Sequence, residues 1–97
     1  MDITISKSKN KTKKWTATID GKKKVSFGDP KYQDYTQHKD PDRKTNYIAR
    51  HSKNENWQDP TTAGFWSRHA TWNKPTLKAS IDDINKRFNN LNVTYTK

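Results

Sequence analysis

Apolar residues alternate with polar ones near both ends of the chain and fall at helical spacing in between. Ile3 and Ile5 stand between Asp2, Thr4 and Ser6, which predicts a short strand with one buried face. Residues 6–14 contain no apolar side chain and read as a mobile, lysine-rich loop whose charges repel one another. Trp15, Ala17 and Ile19 then alternate with Thr16 and Thr18, a half-buried strand. Asp20-Gly21 is a hairpin signal, and Val25 and Phe27 resume the apolar alternation beyond it. A two-residue turn would set Ala17 opposite Lys24 and place lysines on the core face. A three-residue loop instead pairs Trp15 with Phe27, Ala17 with Val25 and Ile19 with Lys23. A slip of one residue turns every side chain to the other face, so the second register is expected, with Gly21 or Lys22 in a left-handed conformation. Gly28-Asp29-Pro30 ends the strand.

Three helices are predicted next. Asp40-Pro41 supplies an N-cap followed by proline at the first helical position, and this helix should run to about Lys53 with Lys44, Tyr47, Ile48 and His51 facing inward. Asp59-Pro60 repeats the device and opens a second helix carrying Phe65, Trp66, His69 and Trp72, with Gly64 admitting a close neighbour. The third begins near Pro75-Thr76, and Leu77, Ile81, Ile84 and Phe88 form the clearest helical stripe in the chain. Leu91, Val93 and Tyr95 alternate after it and are a candidate last strand. Strands mostly first and helices together predict an α+β fold: a small antiparallel sheet, built from the hairpin and the Ile3–Ile5 strand, packed against three helices.

Composition changes this picture in one respect. The chain is 97 residues long and only 28% hydrophobic, which fits one domain spanning 1–97 with a thin core. Eleven aromatics, four of them Trp, supply the large buried area that such a core needs. There is no cysteine, which excludes disulfides and thiolate metal sites. The chain shows no signal peptide and no apolar run of membrane-spanning length, which fits a protein of a cell interior and equally a virion component assembled inside a cell.

Charge carries most of the functional information. Lys and Arg number 20 against 10 acids, a net +10, and residues 1–24 hold eight Lys and two Asp, or +6 of it. Such a field draws polyanions and binds them with little regard to sequence. Lys7, Lys9, Lys11, Lys13 and Lys14 share one loop, and Lys22, Lys23 and Lys24 share the hairpin tip. Strand pairing sets these groups at opposite ends of the sheet, as two basic poles or one edge stripe. With Arg43 and Arg50 they are the candidate nucleic-acid-binding residues. Solubility alone requires no such clustering.

Other chemistries find less support. His38, His51 and His69 lack metal-ligand spacing, and Ser67 and His69, two apart on a helix, do not face each other. Asp40 and Asp42 read as a helix start, and Asp82 and Asp83 as a helix face that pairs with Lys78, Lys86 and Arg87. No catalytic residue, metal ligand or cofactor is assigned. Trp57, Trp66 and Trp72 are candidate stacking platforms for single-stranded bases. Trp66 and Trp72 also sit at core spacing, and Trp57 reads equally as a lid over the core.

Phe27-Gly28, Asp34-Tyr35-Thr36 with His38 and Asp40, Arg43, Tyr47, Arg50-His51, Thr62-Ala63-Gly64, Trp72 and Lys86-Arg87-Phe88 occur here in one order. Together they resemble an uncharacterised family of small basic proteins encoded by giant DNA viruses and some tailed phages. The resemblance implies a viral origin and carries no activity or site residues with it. The expected function is non-enzymatic binding of nucleic acid, duplex DNA, through phosphates, for packaging or protection of a viral genome. The runner-up is a minor cement or connector protein of the virion, its basic surface facing acidic capsid protein. A metal-dependent nuclease is third.

Overall fold

The computed structural model describes residues 1–96. Strands β1 (Asp2–Lys7), β2 (Trp15–Ile19), β3 (Lys23–Phe27) and β4 (Asn92–Tyr95) form one sheet in the order β3-β2-β1-β4. The hairpin register is the one that keeps lysines out of the core: Trp15 opposite Phe27, Ala17 opposite Val25, Ile19 opposite Lys23. The three-residue loop has its left-handed glycine as expected, and Asp20 joins it. Asp20 (φ 51°) and Gly21 (φ 70°) both adopt left-handed conformations, Lys22 N–H donates to Ile19 O, and Lys22 is the extra residue. Asp tolerates this region better than most residues, and the Asp20 carboxylate is fixed across the strand pair as the acceptor for Asp2 N–H at 2.8 Å.

The fold is α+β, with a mixed rather than wholly antiparallel sheet. β1 pairs antiparallel with β2 and parallel with β4. The reason is the preceding helix, α4 (Leu77–Arg87), which lies over the sheet and returns the chain alongside β1. The helices number four among the described residues. The unforeseen one is α1 (Tyr35–His38), held by a capping box in which Asp34 accepts from Thr36 N–H and Gln37 Oε1 accepts from Asp34 N–H. α2 (Pro41–His51) starts on the Asp40 cap as expected and ends two residues before Lys53, with Ser52 as C-cap.

The second predicted helix starts later than Asp59-Pro60. Asp59 uses its carboxylate on Thr61, accepting from both N–H (2.9 Å) and hydroxyl (2.6 Å), and these bonds lower its pKa. The cap passes to Thr62, and α3 (Ala63–Trp66) follows. α3 then widens into a π-helical turn, Ser67–Thr71, with Trp72 N–H donating to Ser67 O. Helices lie on one face of the sheet only. Ile3, Ile5, Ala17, Ile19, Val25, Phe27 and Val93 meet Phe65, Trp66, Ala70, Ile81, Ile84 and Leu91 in the core, with Leu77 and Phe88 packed at its edge. Thr4, Ser6, Thr16, Thr18, Lys24 and Ser26, the residues of opposite parity, form the polar outer face.

Candidate nucleic-acid interface

The two lysine groups lie where the strand pairing was expected to put them. Lys22, Lys23 and Lys24 mark the end of the sheet at which Ile3 pairs with Ile19, and the 8–14 loop marks the other, at which Lys7 pairs with Trp15. β1 continues through Lys7, so the loop is shorter than expected and carries its own bonds. Asn10 Oδ1 accepts from Thr12 N–H and hydroxyl, and Ser8 N–H donates to Lys14 O. Lys7, Lys9, Lys11, Lys13, Lys22, Lys23 and Lys24 are all exposed.

Lys14 differs from its neighbours. Its ammonium reaches Tyr32 O at 2.6 Å, Asp34 Oδ2 at 2.9 Å and Gln37 Oε1 at 2.5 Å, with only 14% of the side chain exposed. It ties the loop to the capping box of α1. Gly28 makes room for this strut: it has φ 85°, and a Cβ there would sit 3.2 Å from Lys14 Cβ. Lys14 therefore holds the scaffold, and its charge is not offered to a ligand.

A cleft of about 1000 Å³ opens at the loop end of the sheet. One wall comprises Lys13, Lys14 and the segment from Gly28 through Tyr32 to Asp34; the other is the face of α2 that carries Arg43, Asn46, Tyr47 and Arg50; Ser67, Thr71 and Trp72 also line it. The fold thus brings together Lys13, Arg43 and Arg50, three of the expected phosphate contacts, and leaves the hairpin-tip lysines apart.

Aromatic rings organise this cleft. Tyr47 stacks on Trp72 at 4.4 Å with planes 3° apart, and His51 stacks on the other side of the column, 4.2 Å from Tyr47. His38 continues it beyond Trp72 at 5.2 Å. The π turn ends at Trp72 and so sets this ring against α2. Burial pushes the Tyr47 hydroxyl well above its ordinary pKa and draws His38 down, Arg43 adding to the effect on His38. Of the other tryptophans, Trp66 is fully buried and donates to Pro60 O. Trp57 donates to Glu55 Oε1, and its ring carries the Arg68 guanidinium at 5.5 Å. Gly64 does admit a close neighbour, and it is Glu55: a Cβ would meet Glu55 Cδ at 3.0 Å.

Of the candidate acids, Asp40 and Asp83 are engaged in structure. Asp40 Oδ1 accepts from Asp42 N–H at 2.9 Å, capping α2. Asp83 accepts from Arg87 at 2.8 Å and from Asn73 at 2.7 Å; burial alone would raise its pKa, but these donors hold it below the usual range. Lys78 and Lys86, its other expected partners, make no ion pair with it or with Asp82 among the described residues. No group of three His, Asp or Glu side chains converges to hold a metal ion among the described residues. No helix there is long and apolar enough to cross a membrane.

Fold and cleft together define a small α+β domain with a basic, aromatic-lined groove at one end of its sheet. The chain belongs to a family of unknown function, DUF5754, whose model matches residues 3–51, just over half the chain. That match includes β1 to β3, Lys14, α1 and α2, and so most of both cleft walls. No curated protein matches, and no solved structure does.

Proposed function

We propose that this protein binds nucleic acid without catalysis, through phosphate contacts made by its loop, hairpin-tip and cleft cations, and that it packages or protects a viral genome as duplex DNA. The observation that supports this most is uncompensated charge. Lys7, Lys9, Lys11, Lys13, Lys22, Lys23, Lys24, Arg43 and Arg50 are exposed, and none is in an ion pair among the described residues. Exposed cations left unpaired are free to neutralise phosphates and so to release the counterions condensed on a polyanion. The viral setting rests on the resemblance of Phe27 to Phe88 alone.

The test is the affinity for a short duplex between about 50 and 200 mM salt, which should fall with a log–log slope of about −0.9 per phosphate neutralised. Replacing Lys7, Lys9, Lys11 and Lys13 together by Gln should flatten that slope and leave thermal stability unchanged. Duplex affinity that ignores salt, or no binding at the lower salt, overturns the reading and directs the charge to an acidic protein partner.

A further inference from the structure

The cleft differs from the rest of the basic surface in what lies between its cations. Lys13 stands on one wall and Arg43 and Arg50 on the other, all exposed. Between them are ring faces and amides: Tyr32, 69% exposed, His51 at the end of the stacked column, with 41% of its side chain exposed, and Asn46 and Gln33. Two carboxylates in the cleft are already occupied, Asp34 by Lys14 and Glu55 by Trp57 and His51. The third, Asp29, accepts from Lys31 N–H and shapes its own turn.

Cations on both walls suit a chain of phosphates running across the opening. Exposed rings suit a flat apolar partner, and side-chain amides suit the polar edge of a base. A duplex cannot use this combination, because its base faces are stacked on one another and only phosphates and groove edges meet a protein surface. An unpaired strand offers all three at once. The volume, about 1000 Å³, is that of a site for one or a few nucleotides rather than an ion.

We infer that the cleft is a site for single-stranded nucleic acid, with phosphates held by Lys13, Arg43 and Arg50 and a base stacked on Tyr32. This rests on the proposal that the protein binds nucleic acid, and adds a second mode to it: duplex held mainly by the lysine poles with the cleft cations at its margin, unpaired strand seated in the cleft. Tyr47 and Trp72 position the α2 wall, and their rings already face each other.

The experiment measures the affinity of the full chain for an oligothymidylate of about a dozen nucleotides and for a duplex, by fluorescence anisotropy at one salt concentration. Tyr32→Ala should weaken the oligothymidylate by about fivefold to a hundredfold, the range of losing one stacked base, and leave the duplex within about twofold. Arg43→Gln with Arg50→Gln should weaken the oligothymidylate more than the duplex. Both sites are exposed, so unchanged thermal unfolding confirms that the variants are folded. Oligothymidylate affinity indifferent to Tyr32→Ala, or both ligands weakened equally by the Arg pair, overturns the cleft assignment while leaving duplex binding in place. Absence of binding to either ligand overturns the parent reading with it.

Discussion

The side-chain amide of Asn85, on α4, closes both main-chain hydrogen bonds of Val93 on β4. Val93 N–H donates to Asn85 Oδ1 at 2.8 Å, and Asn85 Nδ2 donates to Val93 O at 3.0 Å. β4 is an edge strand whose neighbouring residues, Asn92 and Thr96, donate inward to Met1 O and Ile5 O. The groups of Val93 point the other way, where the next strand would lie, and the amide occupies that strand's place. An unguarded edge is a template for another chain, so this contact serves solubility as well as stability.

Asn85→Ala should therefore act twice. Leaving a donor and an acceptor unmet should cost about 1–3 kcal/mol, read from urea unfolding. It should also raise self-association in sedimentation, since Val93 becomes free to pair. Asn85→Asp keeps the acceptor for Val93 N–H but sets a carboxylate oxygen against Val93 O, so it should be at least as destabilising at neutral pH. An Asn85→Ala protein as stable and as monomeric as the parent would show that the edge needs no guard.

Adjacent lysines should behave in opposite ways. Lys13 is exposed and should tolerate Gln within about 0.5 kcal/mol. Lys14→Gln removes the ammonium from three oxygens and leaves Asp34, whose side chain is 6% exposed, without its counter-charge. Breaking one partner of such a pair should cost on the order of 3 kcal/mol, seen as a lower denaturation midpoint. Equal effects at the two positions would mean that the Lys14 strut contributes nothing.

These two lysines also mark how far the sequence could be read. The strand pattern and hairpin register followed from alternation, because Ile19, Ala17 and Trp15 leave one arrangement without buried lysines. The Asp40 cap and the start of α4 near Thr76 were legible from local helix-start signals. Lys14 was not, since nothing in a run of lysines tells which one a distant carboxylate will take. A local signal was present: Asp34 and Gln37 stand at capping-box spacing, which marks α1, but it gives no hint of the third partner. The Asp59 misplacement arose from two caps in competition, Asp59 and Thr62, three residues apart. The cleft depends on the π turn that turns Trp72 toward Tyr47, and no periodicity in the 63–72 stretch announces that widening.

The stripe on α4 offers a direct check of core packing. Ile84 is fully buried and Ile81 nearly so, both within the main cluster. Ile84→Ala should cost roughly 2–5 kcal/mol. With so few apolar residues in the chain, the variant should lose its cooperative thermal transition near physiological temperature. A transition unmoved from the parent's would place Ile84 outside the core.

Stability should also depend on pH through His69. The ring is 5% exposed, Nε2–H donates to Trp57 O at 2.9 Å, and Nδ1 accepts from Arg87 Nη2 at 2.9 Å. Burial pulls its pKa down from 6.5 to about 4; the bond to Trp57 opposes this, and the nearby Arg87 and Arg68 reinforce it. A protonated ring could no longer accept from Arg87 and would face its positive charge. The unfolded chain thus takes up a proton near pH 6.5 that the folded chain refuses until about pH 4. Stability is full above the upper value and falls as pH drops through the window, by roughly 3 kcal/mol at its foot. His38, also lowered by burial, acts in the same direction. Urea unfolding at pH 7 and at pH 4.5 should reveal this loss, and His69→Gln, less stable at pH 7, should show a smaller one. An unfolding free energy constant across the window, or an undiminished slope in His69→Gln, would mean that His69 is not held neutral between Trp57 and Arg87.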